Sequence, residues 1–274
     1  MVGASGAMMG LSGCKAGMHP DDFRIEIKDI VEPHNVDYTR TDLTPQALEE
    51  RMKEADRNFL EPRTYGKVYL SYEICMDSIS ERNGYEALWR ASRACAWIAR
   101  NKNEDRSRRL HFAGKGIGIG EEATRRSSTK PEAHYYYAMC MGAMADLTRD
   151  PSKDFLREMR DAMAIALKLN EKVDSCGPHR FLGNLYVETS EYPSWALGTM
   201  EEGLAHLKRA TEVCPEFGEN HLAYATALIE AGDIAQARAE LEKVETCPKP
   251  KDHSTEHDEW LTSAAVLLAD LQGK

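Results

Sequence analysis

A recurring histidine is the feature of this sequence that most limits how the chain can fold. His134, His179 and His221 are 45 and 42 residues apart, and each lies near the start of a helix-length stretch whose apolar residues recur every three or four positions. Self-similarity at such a period is typical of arrays of helical hairpins, in which each hairpin buries its apolar face against its neighbours. The spacing therefore predicts an all-helical repeat array and argues against a β-sheet core.

A second helix is predicted after each of these stretches, with small residues where the paired helices touch. Residues 182–186 (LGNLY) are close to the Leu-Gly-x-x-Tyr core of a tetratricopeptide repeat. The small–large–small–Pro pattern of the second helix in such a repeat recurs at Gly203, Leu207, Ala210 and Pro215. The predicted fold is all-α: a right-handed superhelix of about five tetratricopeptide-like hairpins with a C-terminal capping helix.

The predicted array does not fill the whole chain. Residues 1–17 are interpreted as a signal-like or lipobox-like tail and residues 18–44 as an irregular N-terminal arm. Residues 45–248 form the predicted repeat array, and residues 249–274 a linker and the capping helix. Within the first hairpin, Pro62 is expected to separate the two helices because proline cannot continue a helix.

The tail contains a short motif that bears on localisation. Leu11, Ser12, Gly13 and Cys14 resemble a bacterial lipobox, in which the cysteine carries a lipid. The basic n-region and the longer apolar core of a full secretion signal are missing. Two interpretations stay open: a periplasmic protein that is lipid-anchored at Cys14, or a chance cysteine in a glycine-rich tail.

The other six cysteines include no Cys-x-x-Cys pair, which argues against zinc ribbons and thioredoxin-like redox sites. Cys75, Cys95 and Cys140 lie in apolar helical patterns and are predicted to be small core residues. Three others lie at repeat ends, where a disulfide between two of them is left open by the sequence: Cys176, Cys214 and Cys247.

Composition excludes two classes of partner. The formal net charge is −10, and no stripe of lysine and arginine offers the basic face that nucleic acid needs. No apolar run reaches the roughly 18 residues of a membrane-spanning helix, so contact with a membrane is expected only through the lipid anchor.

Three patterns resemble catalytic or metal sites without fitting them. The glycines between Gly114 and Gly120 lack the spacing of a dinucleotide or Walker fingerprint and are expected to serve helix packing. Residues 253–257 (HSTEH) match a zinc-peptidase string, but a helix start with acidic residues in its first turn explains them better. The repeated histidines are expected to lie a helix spacing of about 10 Å apart, too far to share one metal ion. No catalytic residue, metal ligand or cofactor is predicted.

Four short motifs resemble the TatT family: residues 86–91 (EALWRA), 132–136 (EAHYY), 177–183 (GPHRFLG) and 219–222 (ENHL). This family is the T component of tripartite ATP-independent periplasmic (TRAP) transporters. The resemblance implies a periplasmic lipoprotein of tetratricopeptide-like hairpins that associates with the periplasmic solute-binding protein of the transporter. It also implies that copies of the chain can form a homo-oligomer around an apolar pore.

The first helices of the hairpins are expected to line a concave face. Nine positions are predicted to lie on it and to contact a ligand or partner: Trp89, Arg93, Trp97, Tyr135, Met139, Arg180, Asn184, Leu222 and Thr226. An apolar, aromatic face with two guanidiniums would suit a ligand with an apolar body and an anionic end, with Arg93 and Arg180 converging on it. The alternative interpretation is that the aromatics are core residues and the arginines are solvated.

The sequence therefore indicates two alternative functions, and neither is enzymatic. The first is an extracytoplasmic accessory protein of a TRAP-type uptake system, which binds the solute-binding protein and an apolar or organic-acid ligand. The second is a cytoplasmic tetratricopeptide adaptor that mediates protein–protein interactions. An enzyme lacks a supporting constellation of residues.

Overall fold

The computed structural model describes residues 43–60, 62–80, 84–148, 151–192 and 194–272, and every regular element in these ranges is an α-helix. The helices form two compact units, one ending at Leu169 and the other beginning at Asn170. Five helical hairpins and a final helix lie within the described residues. The predicted all-α fold of stacked hairpins is thereby confirmed.

Three hairpins make up the N-terminal unit, and consecutive helices in it pack against one another. Its helices are α1 (Pro45–Phe59), α2 (Tyr65–Met76), α3 (Tyr85–Arg100), α4 (Arg106–Arg126), α5 (Pro131–Thr148) and α6 (Lys153–Leu169). The first helices of the hairpins, α1, α3 and α5, also contact one another, α3 lying against both α1 and α5. This arrangement is the one expected when hairpins stack.

Threonine side chains set the starts of the first two helices. Thr44 Oγ1 accepts a hydrogen bond from the backbone N–H of Ala47 at 3.2 Å, and Thr64 Oγ1 accepts one from Lys67 at 3.4 Å. Pro45 occupies the first turn of α1, where its missing N–H costs nothing. The break between α1 and α2 falls where the sequence predicts it.

Two glycines of α4 allow the helices of the N-terminal unit to approach closely. A Cβ atom at Gly116 would overlap Cys140 Sγ of α5 and Cys95 Cβ of α3, and one at Gly120 would lie 2.9 Å from Tyr137 Cα. The glycine-rich run therefore serves helix packing, and the two cysteines beside it are buried core residues, as the sequence predicts.

The C-terminal unit consists of two hairpins and a final helix. Its helices are α7 (Gly177–Ser190), α8 (Met200–Val213), α9 (Gly218–Glu230), α10 (Ile234–Thr246) and α11 (Ser254–Gln272). Gly183 of α7 and Gly203 of α8 face each other where these helices cross. A Cβ atom at Gly203 would lie 2.6 Å from Val187 Cγ2 and 2.8 Å from the Gly183 carbonyl oxygen.

The final helix covers one side of the last hairpin. Trp260, Ala264 and Leu271 of α11 are buried in a cluster with Phe217 and Leu222 of the preceding hairpin. Since a hairpin cannot bury both of its apolar sides by itself, α11 acts as the cap that the sequence predicts.

Candidate functional site

A carboxylate of α1 ties the first two hairpins together. Asp56 accepts hydrogen bonds from Nε of Arg90 at 3.0 Å and from the guanidinium of Arg93 at 2.6 Å, both arginines lying on α3. Burial acts to raise the pKa of Asp56, but the two guanidiniums outweigh it and hold the pKa below its usual range. Asp56 is therefore ionised at neutral pH, when it neutralises part of the charge of α3.

A second carboxylate continues this network to the third hairpin. Glu86 of α3 accepts hydrogen bonds from Lys130 Nζ and Arg90, both at 2.8 Å, and from Trp89 Nε1 at 3.1 Å. Burial acts to raise the pKa of Glu86, and the bonds from these donors lower it to about 2. The cations Arg90, Arg93 and Lys130 thus each face a carboxylate.

The aromatic part of this face is a stacked pair. The rings of Trp89 on α3 and Tyr136 on α5 are 5.9 Å apart and inclined by only 9°. The guanidiniums of Arg90 and Arg93 lie 4.2 and 5.1 Å from the Trp89 ring centroid, within the range of cation–π attraction. Both rings are half-buried, so each keeps an accessible portion. We refer to Asp56, Glu86, Trp89, Arg90, Arg93, Lys130 and Tyr136 as the first-helix face.

In the C-terminal unit, Arg180 of α7 is buried, with 7% of its surface exposed. It pairs with Glu219 at 3.1 Å and donates to Asn220 Oδ1 at 2.7 Å, both on α9. It also donates to the Ser175 carbonyl oxygen at 3.2 Å. Arg180 is therefore a structural link between the two hairpins of this unit.

Two of the recurring histidines, His134 and His221, form hydrogen bonds with the carbonyl groups of the loops that precede their helices. His134 Nε2 lies 3.1 Å from the Ser128 carbonyl oxygen, and His221 Nε2 lies 2.8 Å from that of Pro215, each carbonyl being six residues earlier. His221 Nδ1 also meets Glu240 at 2.6 Å. Within the described residues, no group of three or more histidine, cysteine, aspartate or glutamate side chains is placed to hold a metal ion.

His179, the second histidine of the series, has a different environment. His179 Nδ1 lies 2.9 Å from His206 Nδ1, and His179 Nε2 lies 3.3 Å from Glu171, which also pairs with Arg209. Burial lowers the pKa of both histidines, and for His206 the neighbouring His179 lowers it further. Because a bond between two ring nitrogens needs one of them unprotonated, this pair is expected to weaken in acid.

The His179–His206 pair should make stability depend on pH. Since the folded-state pKa values lie below the ordinary 6.5, the contribution is fully present above about pH 6.5 and is lost as the pH falls through the folded values. In urea unfolding, the advantage of the wild type over His206→Gln should therefore be larger at pH 7.5 than at pH 5. An advantage that stays constant over this range would contradict the assignment.

The structure places the nine predicted face residues in two groups. Five are half-buried: Trp89, Arg93, Trp97, Asn184 and Thr226. Four are buried inside their units: Tyr135, Met139, Arg180 and Leu222. Only the half-buried group offers appreciable surface to a partner, and a binding role for all nine stays a prediction.

Two expectations about this face need correction. The guanidiniums expected to take an anionic ligand already have carboxylate partners, Asp56 for Arg93 and Glu219 for Arg180. The accessible tyrosine of α5 is Tyr136, one position away from the predicted Tyr135. Asp56 precedes Arg90 by 34 residues and lies on a different hairpin, so the apolar pattern of the sequence gives no signal for this contact.

One disulfide links two of the three cysteines that lie at repeat ends, a pairing that the sequence leaves open. Cys176, at the start of α7, and Cys214, at the end of α8, form a disulfide with Cα atoms 6.2 Å apart. Cys247 is a half-buried free thiol. The lipobox-like Cys14 lies outside the described residues.

No helix in the described part of the chain is both long and apolar enough to cross a membrane.

Comparison with known proteins supports the fold and gives a family. Among solved structures, a thermophilic TPR protein of Thermus thermophilus matches with a TM-score of 0.57 and 16% identity, covering 79% of this chain and 100% of that one. This likeness shows the fold alone. A search of curated proteins finds no significant match. The model of the family described as regulator of microtubule dynamics protein 1-3 matches residues 52–272, and the chain therefore belongs to that family.

Proposed function

We propose that this chain is a non-enzymatic protein-binding scaffold whose partner docks on the first-helix face. The observation that carries the proposal is the half-exposed stack of Trp89 on Tyr136, which bridges two stacked hairpins. Helical-repeat arrays present extended surfaces to their partners, and tryptophan and tyrosine are enriched among the residues that dominate binding energy. The fold type itself is typically non-enzymatic.

The charges of the face indicate the chemistry of the partner. Arg90, Arg93 and Lys130 are each engaged by Asp56 or Glu86, so an anionic segment would have to displace an internal carboxylate. Because each new ion pair with the segment would replace an existing internal one, the exchange would add little to the binding affinity. The face is therefore suited to a protein segment that places an apolar or aromatic side chain against Trp89 and Tyr136.

The family description makes microtubules the first partner to test. Trp89→Ala should weaken binding to purified microtubules about 30-fold, the effect of losing roughly 2 kcal/mol at a dominant aromatic contact. Co-sedimentation over a range of tubulin concentrations measures the change. The matched control is Trp195→Ala, which removes a tryptophan that is 39% exposed in the C-terminal unit.

Two outcomes would count against this assignment. Equal weakening by Trp89→Ala and Trp195→Ala would show that the first-helix face is not the docking surface. A wild-type chain that does not sediment with microtubules would reject microtubules as the partner. Circular dichroism of each variant checks that the helices remain folded.

A second candidate is the TRAP-type accessory role implied by the TatT resemblance. The family whose model matches is a different one, so this role rests on a separate observation, the Cys176–Cys214 disulfide. Disulfides persist mainly in oxidising compartments, which include the bacterial periplasm. Binding of a purified periplasmic solute-binding protein, together with lipid labelling that requires Cys14, would favour this candidate. Absence of both would reject it.

A further inference from the structure

The segment that leads into α7 has an unfavourable backbone conformation. Asp174, Ser175 and Cys176 have φ values of 49°, 52° and 67°, which places three successive residues other than glycine in the left-handed region. Residues with a Cβ atom adopt this conformation rarely, and usually singly, because the Cβ approaches the following carbonyl group. Such a segment persists only where surrounding contacts hold it.

The contacts that hold this segment come from α7, α8 and α9. The Ser175 carbonyl oxygen accepts hydrogen bonds from Arg180 and from Asn220 Nδ2, both at 3.2 Å. Asn220 Nδ2 also lies 3.1 Å from the Cys214 carbonyl oxygen. One amide group thus contacts the two chain segments that the Cys176–Cys214 disulfide joins covalently.

The two sulfur-bearing residues differ in accessibility. Cys176 is completely buried, whereas Cys214 is only half-buried at the end of α8. An attacking thiolate can therefore reach Cys214 more readily than Cys176. Attack on the Cys214 sulfur would release the Cys176 sulfur first, which is the one attached to the left-handed segment.

We propose that the Cys176–Cys214 disulfide is a redox-controlled clasp, whose reduction lets residues 174–176 leave the left-handed conformation and loosens the first turn of α7. A dithiol is the reductant. Its thiolate attacks Cys214 Sγ to give a mixed disulfide, and its second sulfur then displaces Cys214. The dithiol loses two electrons and becomes a cyclic disulfide. Its two protons are transferred to the sulfur atoms of Cys176 and Cys214, which become thiols. The bonds from Arg180 and Asn220 to the Ser175 carbonyl oxygen break as the segment moves. The remaining helices of the unit, α8 to α11, keep their positions, so the opening is local.

Hydrogen exchange followed by mass spectrometry tests the clasp. In chain purified without reductant, peptides covering residues 170–182 should exchange slowly, and addition of dithiothreitol should speed their exchange about tenfold, the mark of local opening. Peptides from α10, in the same unit but away from the bond, should not change. In the variant Cys176→Ser/Cys214→Ser, the peptides covering residues 170–182 should exchange as fast as in the reduced wild type, and dithiothreitol should not change their exchange rate. Cys247→Ser, which removes the free thiol of the same unit, should respond like the wild type.

Three results would overturn the proposal. Exchange of residues 170–182 that is unchanged on reduction would show that the bond is not a clasp. Faster exchange in α10 as well would show that the bond is a general stabilising cross-link of the C-terminal unit. If mass spectrometry of the unreduced chain finds no peptide pair linked through Cys176 and Cys214, the disulfide does not form and the proposal is wrong. If the double serine variant does not fold, reduction of the wild type provides the same comparison.

Discussion

Replacing Gly203 by alanine is expected to lower the free energy of unfolding by about 3 kcal/mol, at the upper end of the usual range for overpacking. The new Cβ would lie 2.8 Å from the Gly183 carbonyl oxygen, a backbone atom that cannot turn aside. Helix propensity alone predicts the opposite sign, a gain of up to about 1 kcal/mol when alanine replaces glycine. The midpoint of urea unfolding, at unchanged slope, measures which effect is larger.

The matched control for this prediction is Gly66→Ala in α2. No neighbouring atom lies within 4 Å of a Cβ built at Gly66, so only the propensity term remains. We expect this variant to be as stable as the wild type or up to about 1 kcal/mol more stable. If Gly203→Ala shifts the midpoint in the same direction as Gly66→Ala, the close crossing of α7 and α8 is not real.

Arg180→Met is expected to cost about 3–5 kcal/mol of stability, the usual effect of removing one partner of a buried ion pair. The substitution leaves Glu219, which is 9% exposed, without the guanidinium that lies 3.1 Å away. It also removes the guanidinium donors that bond to Asn220 Oδ1 and to the Ser175 carbonyl oxygen. Urea unfolding monitored by circular dichroism measures the loss.

The double variant Arg180→Met/Glu219→Gln separates the two causes. A neutral glutamine no longer needs a cation, so the double variant should recover part of the lost stability. The lost hydrogen bonds to the amide and the carbonyl should remain as a residual cost. If the single and double variants are equally unstable, the buried charge of Glu219 is not what Arg180 offsets.

Local periodicity was sufficient to predict the helical hairpins of this chain. The break between α1 and α2, the small residues at the helix crossings and the start of α11 near Ser254 each follow from proline, glycine and capping chemistry within a few residues. The histidine spacing indicates the repeat, but it does not reveal that His134 and His221 bond to loop carbonyl groups whereas His179 pairs with His206.

The candidate site was harder to predict because its members lie on different hairpins. Whether an arginine is free or paired depends on a carboxylate 37 or 39 residues away, as with Arg93 and Arg180. The placement of Tyr136 rather than Tyr135 on the face depends on a helix rotation of about 100° per residue, finer than the apolar pattern defines. The choice of Cys214 over Cys247 as the partner of Cys176 likewise depends on tertiary distances.

The position of α11 has a consequence for protein engineering. Trp260 and Leu271 occupy the side of the last hairpin against which another hairpin would have to dock. A designer who wishes to lengthen the C-terminal unit must therefore insert new hairpins before α11 and keep this helix last, since hairpins appended after it would find their docking surface taken.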